Sequence, residues 1–324
     1  MPLLILAFVA LLSGFYGLVK SSDRFVEGAA NTALLLGISP LVIGLTIVAF
    51  GTSAPEVFTS IAASLSGSPE IAIGNVIGSN IANVGLILGI TTLVCNVRVP
   101  ETILKLEIPF LVAISAGFLL LLIDGNLGPL DGILMLIMLG VFSWYMYRAN
   151  PSAVAENTEN VSVVPAEDSL GKSVFVMTTA LVVMIASARI LVWGASNIAT
   201  ALGISELVIG LTIIAMGTSL PELATSLASA RKGHHELAIG NVVGSNILNL
   251  LIVLPLPAIF AGIPSGRDIV IRDYPVMLMF TLLMSAIFFW QKRKSGEIGR
   301  KTGTVFIIFY LAYTALLVMA SPAS

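Results

Sequence analysis

Apolar runs of about 20 residues alternate with short polar breaks along most of the chain, each long enough to cross a bilayer as a helix. Ten such helices are predicted. The first covers 3–19, with Lys20, Asp23, Arg24 and Glu27 marking its wet end. A signal peptide is the competing reading of this run, but no basic residue precedes it and no small-x-small site follows. Ser39 and Pro40 open helix 2 as N-cap and first-turn proline, and it runs to about 65. Gly67-Ser68-Pro69 turns the chain into helix 3, about 71–94. Helices 4 and 5, about 106–123 and 130–147, are joined through Asp124-Gly125-Asn126. Helices 6 to 10 follow at about 173–190, 205–230, 237–261, 275–290 and 304–320, with Pro255 and Pro257 predicting a kink in helix 8. The polar stretch 149–172, with Glu156, Glu159, Glu167 and Asp168, reads as a solvated linker between the segments 1–148 and 173–324. A regulatory cation site is the alternative for it.

Composition agrees with an all-α polytopic membrane protein. Of 324 residues 57% are hydrophobic and 10% charged, where a soluble domain is nearer a quarter charged. The single Cys95 excludes an internal disulfide, and His234 and His235 are the only histidines, so a Cys/His transition-metal cage is unavailable. Abundant oxygen ligands favour hard cations instead. The placement of charge matters more than the net −2. Drawn as ten helices, about 13 Lys and Arg fall on one side. Only Arg189, Arg267 and Arg272 fall on the other, which puts both termini outside. Arg267 and Arg272 are the counter-evidence, each beside an aspartate.

A shift of 166 aligns 38–83 with 204–249 without a gap, and about 30 of those 46 positions are identical. Upstream, Gly28, Ala29, Asn31 and Gly37 align with Gly194, Ala195, Asn197 and Gly203. The chain is therefore read as a duplicated five-helix unit. An odd number of helices per unit inverts the second copy, and the loops agree: Ser66 to Glu70 has no basic residue, whereas Arg231-Lys232-Gly233-His234-His235 is basic. Inverted repeats with interrupted helices at matching positions point to a secondary transporter with its site at the midplane.

Helices 2 and 7 are interrupted at Gly51-Thr52-Ser53-Ala54-Pro55-Glu56 and Gly217-Thr218-Ser219-Leu220-Pro221-Glu222. A carboxylate within the membrane costs a few kcal/mol even on the mildest scale and is a functional-site hypothesis by default. Pro55 removes a backbone donor, so carbonyls near Ala49, Phe50 and Gly51 are expected to lose helical partners and face a cavity. Thr52 and Glu56, four apart, share a face where the segment is helical. Capping of the second half-helix is the alternative role for Thr52 and Ser53. Helix 3 carries Asn75, Ser79 and Asn83 on one face, and helix 8 repeats them as Asn241, Ser245 and Asn249. Ser79, Asn83, Ser245 and Asn249 are read as ligands, with interhelical hydrogen bonding the alternative. Asn75 and Asn241 are assigned to packing. Asn80 and Asn246 lie about a third of a turn off that face. Gly74, Gly78, Gly240 and Gly244 form small-xxx-small steps for close helix approach.

These residues resemble the two alpha-repeats of the calcium/cation antiporter superfamily, specifically the sodium/calcium exchangers. G-T-S-x-P-E and G-N-x-x-G-S-N-x-x-N stand in both halves, and the ten-helix layout fits the whole chain. The resemblance is to a bacterial inner-membrane branch. It implies five-plus-five inverted topology, alternating access by sliding of helices 1 and 6, and ion ligands at Thr52, Ser53, Glu56, Ser79 and Asn83 and at Thr218, Ser219, Glu222, Ser245 and Asn249. Some family members carry an aspartate at the position of Asn249, which here leaves two central carboxylates. The 149–172 stretch is too short for the regulatory calcium-binding domains of animal exchangers. The expected function is Na⁺/Ca²⁺ antiport, with Ca²⁺/H⁺ antiport and a passive cation channel as alternatives. No enzyme is expected, because no histidine or lysine is placed to activate Ser53 or Ser219. No cofactor or nucleic-acid partner is expected either. The transported ions and the bilayer are the partners, and a monomer can suffice.

Overall fold

The computed structural model describes residues 2–149, 169–203, 215–293 and 296–320. Most of the predicted linker and the start of predicted helix 7 lie outside the described residues. The helices are α1 (Pro2–Leu36), α2 (Pro40–Thr52 and Ala54–Leu65), α3 (Glu70–Val94), α4 (Glu107–Leu122) and α5 (Pro129–Ala149). They continue with α6 (Leu170–Ala201), α7 (Ala215–Thr218 and Leu220–Arg231), α8 (His235–Ala261), α9 (Ile269–Lys292) and α10 (Arg300–Ala320). Among the described residues seven helices are long and apolar enough to cross a membrane, and the bent α2 pair makes eight.

Two helices outrun their predicted ends. α1 continues from 19 to 36 and α6 from 190 to 201. Charge on one face of a helix reads, in the sequence, as its boundary. Arg24 and Glu27 pair across one turn at 3.8 Å, and the Ser21, Ser22 and Thr32 hydroxyls donate back to carbonyls three or four residues earlier, so nothing stops the helix. The stop comes at glycine. Gly37 and Gly203, 166 apart, take φ +64° and +79°, which a residue with a Cβ resists. At the start of α2, Val42 N–H donates to Ser39 Oγ at 3.3 Å, the predicted cap.

α1 and α6 pack antiparallel through small residues. A Cβ on Gly28 would meet the backbone N of Met177 at 2.8 Å, and one on Gly194 would meet that of Leu11 at 2.7 Å. Both pairs are related by the 166-residue shift, so the two contacts are copies of one another. Two short antiparallel ribbons behave likewise. β1 (Val97–Arg98) pairs with β4 (Glu297–Ile298), and β2 (Asn126–Leu127) with β3 (Ile263–Pro264). The length of α4 separates β1 from β2, so the ribbons sit at opposite ends of the helices. The β1/β4 end is tied by Arg98–Glu297 at 3.7 Å and Lys292–Glu101 at 3.4 Å, and Lys232–Glu27 at 2.6 Å joins two further residues assigned to the same side.

α3 and α8 form the centre. Of their most apolar windows 72% and 83% is buried, against 22% and 28% for α1 and α6, whose outward faces are apolar and exposed. α8 lies directly on α2: a Cβ on Gly240 would meet the Leu41 carbonyl at 2.9 Å, and one on Gly244 the Leu45 backbone at 2.7 Å. These glycines are structural, as predicted. Gly74 and Gly78 have no neighbour within 4 Å among the described residues, and 207–214, the sequence equivalents of 41–48, lie outside them. Just before Pro255 the helix widens into a π-helical turn over Asn249–Val253, in which Leu254 N–H donates to the Asn249 carbonyl at 3.1 Å. α3 has the same turn at Asn83–Leu88 without a proline. Both turns begin at a predicted site asparagine.

Candidate cation-binding site

The break in α2 is a single residue, Ser53, at φ −81° and ψ 4°, and the two halves meet at 43°. α7 breaks at Ser219 with φ −87° and ψ 4°. Pro55 and Pro221 then fall in the first turn of the second half-helix, where a missing N–H costs no hydrogen bond. The predicted release of carbonyls fails at Ala49, which still accepts from Ser53 N–H at 3.0 Å. A local break of one residue leaves the preceding turn intact. Glu56 and Glu222 enter at the third position of these half-helices, where the dipole favours a negative charge.

Both carboxyl groups are buried and lie within electrostatic reach of each other. The hydroxyls that approach each one come from the opposite half. Ser53 Oγ donates to Glu222 Oε1 at 3.0 Å, and Ser219 Oγ to Glu56 Oε1 at 3.4 Å. Thr218 bears on Glu56 and Thr52 on Glu222 in the same crossed sense. Sequence spacing places Thr52 only on the face of Glu56 in its own helix, because helical spacing cannot register a partner 170 residues away. Ser53 makes no side-chain cap bond, so its hydroxyl does not fill the alternative capping role. Ser53 Oγ is also 3.1 Å from Ser245 Oγ.

α3 and α8 supply amides. Asn83 Nδ2 donates to Asn246 Oδ1 at 2.9 Å, and Asn249 Nδ2 to Asn80 Oδ1 at 3.0 Å, again two copies of one contact. Asn80 and Asn246 lie off the predicted ligand face, and sequence spacing does not find them. The available signal was their repetition in both copies of the motif, three residues before Asn83 and Asn249. Asn241 Nδ2 donates to the Glu222 carbonyl at 3.2 Å and to Ser226 Oγ at 2.9 Å, and Asn241 Oδ1 accepts from Thr52 at 3.1 Å. Asn75 Nδ2 donates to the Glu56 carbonyl at 3.3 Å and to Ser60 Oγ at 3.0 Å. These two asparagines hold the glutamate turns in place. Ser79 is buried on α3, and Thr218 is half-buried.

Among the described residues, Glu56 Oε2, Glu222 Oε2 and Asn249 Oδ1 are buried acceptors with no hydrogen-bond partner. Unmet acceptors of this kind are costly unless something fills them. Among the described residues two carboxylates, several hydroxyls and amide oxygens form a donor set suited to a hard cation.

Fold and site together define an all-helical, multi-pass membrane protein with an acid pair buried between two sequence repeats. A family model described as "Sodium/calcium exchanger protein" matches residues 6–148 and 172–319, and the chain belongs to that family. Inner membrane protein YrbG of Escherichia coli (strain K12) is 37% identical over 98% of this chain and 99% of its own length. Sodium/calcium exchanger MaX1 of Methanosarcina acetivorans is 32% identical over 96% and 98%. A solved structure of the sodium-calcium exchanger NCX_Mj matches with a TM-score of 0.82 at 33% identity, covering 97% of this chain and 99% of that one.

Proposed function

We propose that the protein is a secondary antiporter exchanging Na⁺ for Ca²⁺ through the Glu56–Glu222 site. The observation that carries this reading is the pair of buried carboxylates, each with one oxygen left without a partner and the other approached by the opposite half of the chain. The ligands we assign are Thr52, Ser53, Glu56, Ser79 and Asn83 with Thr218, Ser219, Glu222, Ser245 and Asn249. Ca²⁺ and Na⁺ are cargo, and no resident cofactor is needed. MaX1 and NCX_Mj are named as exchangers of these ions, which supports the same cargo here.

Two ionised glutamates carry −2, which one Ca²⁺ neutralises, as do two or more Na⁺ over neighbouring sites. An empty, doubly charged pocket resists crossing the membrane, so each switch requires occupancy, which is exchange rather than leak. Ten spans in two inverted five-helix repeats, 1–148 and 173–324 joined by the cytoplasmic stretch 149–172, provide the frame. Reciprocal contacts at Gly28 and Gly194 and at the asparagine pairs support the inversion. α1 and α6, antiparallel and poorly buried, are the elements that slide. We place the protein in a bacterial cytoplasmic membrane with both termini outside. The test is Ca²⁺ uptake into sodium-loaded proteoliposomes at fixed pH with a protonophore present. Uptake should require the outward Na⁺ gradient. Uptake that ignores Na⁺ and, once the protonophore is left out, follows an imposed pH gradient would assign the site to Ca²⁺/H⁺ exchange.

A further inference from the structure

A cavity of about 650 Å³ opens at the β1/β4 end, where α10 begins. Asn96, Gln291, Glu297, Arg300, Lys301 and Thr302 contribute its polar lining. We propose that it binds the phosphate group of an anionic phospholipid.

The first half of the chain provides an internal comparison. A Cβ on Gly132 of α5 would meet the Pro255 carbonyl at 2.8 Å, and one on Gly303 of α10 the Gly89 carbonyl at 2.6 Å. Gly89 and Pro255 are 166 apart, so α5 and α10 occupy equivalent places with Gly132 matching Gly303. In that register Gly128-Pro129-Leu130-Asp131 corresponds to Gly299-Arg300-Lys301-Thr302. At the start of α5, Gly128 N–H donates to Asp131 Oδ2 at 2.8 Å, so that helix carries its own anion on its positive end. At the start of α10 the aspartate is replaced by threonine, and the proline and leucine by two cations.

The second helix start therefore has the free N–H groups and dipole of the first, two added positive charges and no carboxylate of its own. Arg300 and Lys301 form no ion pair among the described residues. Thr302 is 8% exposed and lines the cavity, and its hydroxyl has no hydrogen-bond partner among the described residues. Glu297, the carboxylate of the lining, lies 3.7 Å from the Arg98 guanidinium. Among the described residues no other carboxylate lines the cavity, and an anion from outside the chain fills that place. Val94, on the cavity wall, and the nearby Trp290 and Val305 are exposed apolar residues. On a membrane protein they meet acyl chains, so a phosphate tethered to lipid fits this position better than a free one.

The test is thermal unfolding of the full-length protein in detergent, titrated with phosphatidylglycerol, phosphatidylcholine or inorganic phosphate. Phosphatidylglycerol should raise the Tm by a few degrees, and phosphatidylcholine should not. Arg300→Gln with Lys301→Gln should abolish the shift, whereas Arg231→Gln, a basic residue away from the cavity, should retain it. Thr302→Asp restores the carboxylate present in α5. It should raise the lipid-free Tm and remove the response to phosphatidylglycerol, and it decides the matter alone if the double variant is not recovered. An equal shift with phosphatidylcholine, or a shift that survives Thr302→Asp, overturns the proposal. A full shift with inorganic phosphate alone overturns the assignment to lipid.

Discussion

Gly244→Ala tests whether the backbone contact between α2 and α8 sets the geometry of the site. The added Cβ would lie 2.7 Å from the Leu45 Cα and carbonyl oxygen and 2.9 Å from the Ala49 Cβ. Ordinary contact begins at 3.4 Å, and the nearest obstacle is backbone, so α8 must withdraw by about 0.7 Å. Ser245 is the next residue, and its 3.1 Å separation from Ser53 then grows to about 3.8 Å, beyond hydrogen-bonding range. Overpacking of this kind costs about 1–3 kcal/mol of stability. Losing one hydrogen bond and its alignment at the ion costs about 1–1.5 kcal/mol more, close to a tenfold weaker apparent Ca²⁺ affinity. The assay is the Ca²⁺ dependence of uptake into sodium-loaded proteoliposomes, with thermal unfolding alongside. Gly140→Ala is the control: that glycine is exposed on α5, with no neighbour within 4 Å among the described residues. It should leave uptake unchanged and stabilise the helix slightly. A Ca²⁺ dependence for Gly244→Ala within twofold of wild type would refute the argument that this packing positions Ser245.

Asn241→Ala removes two donated bonds and the acceptor for Thr52, and should cost about 1–3 kcal/mol in thermal unfolding and slow uptake. Tyr313→Phe removes the hydroxyl that donates to Asp273 Oδ1 at 3.0 Å, which joins α10 to α9, and should lower stability by about 1.5 kcal/mol with little effect on Ca²⁺ affinity. Burial, then Lys232 and His235, hold the His234 pKa below its usual value. The unfolded chain therefore takes up this proton first, and stability is lost as pH falls from the ordinary histidine range through the lowered value. Unfolding temperatures measured between pH 8 and 5 should show this decline, and His234→Gln should lessen it, with the remainder due to His235, whose pKa burial also lowers.

Most of the site was legible because it is written twice. Repetition at a fixed shift singled out Glu56 and Glu222, and the small-xxx-small glycines a close helix approach, which for Gly240 and Gly244 falls on α2. The crossing of partners was not legible. A single helix displays i to i+4 neighbours, whereas Ser53 with Glu222 and Asn83 with Asn246 meet only through the pairing of two halves. The ends of α1 and α6 were missed because Lys20 to Glu27 and Arg189 mark an exposed face, while the true stops are glycines with positive φ. The asymmetry between α5 and α10 needed the contacts of Gly132 and Gly303 to set a register five residues away from that of the rest of the repeat.

The central claim is that one acid from each half holds the same ion, so neither suffices alone. Na⁺-driven Ca²⁺ uptake by purified Glu56→Gln and Glu222→Gln, each reconstituted beside the wild type at matched protein density, tests this directly. Both variants should remain folded by size and unfolding temperature while uptake falls to the level of empty vesicles. Wild-type uptake by either one would contradict the account.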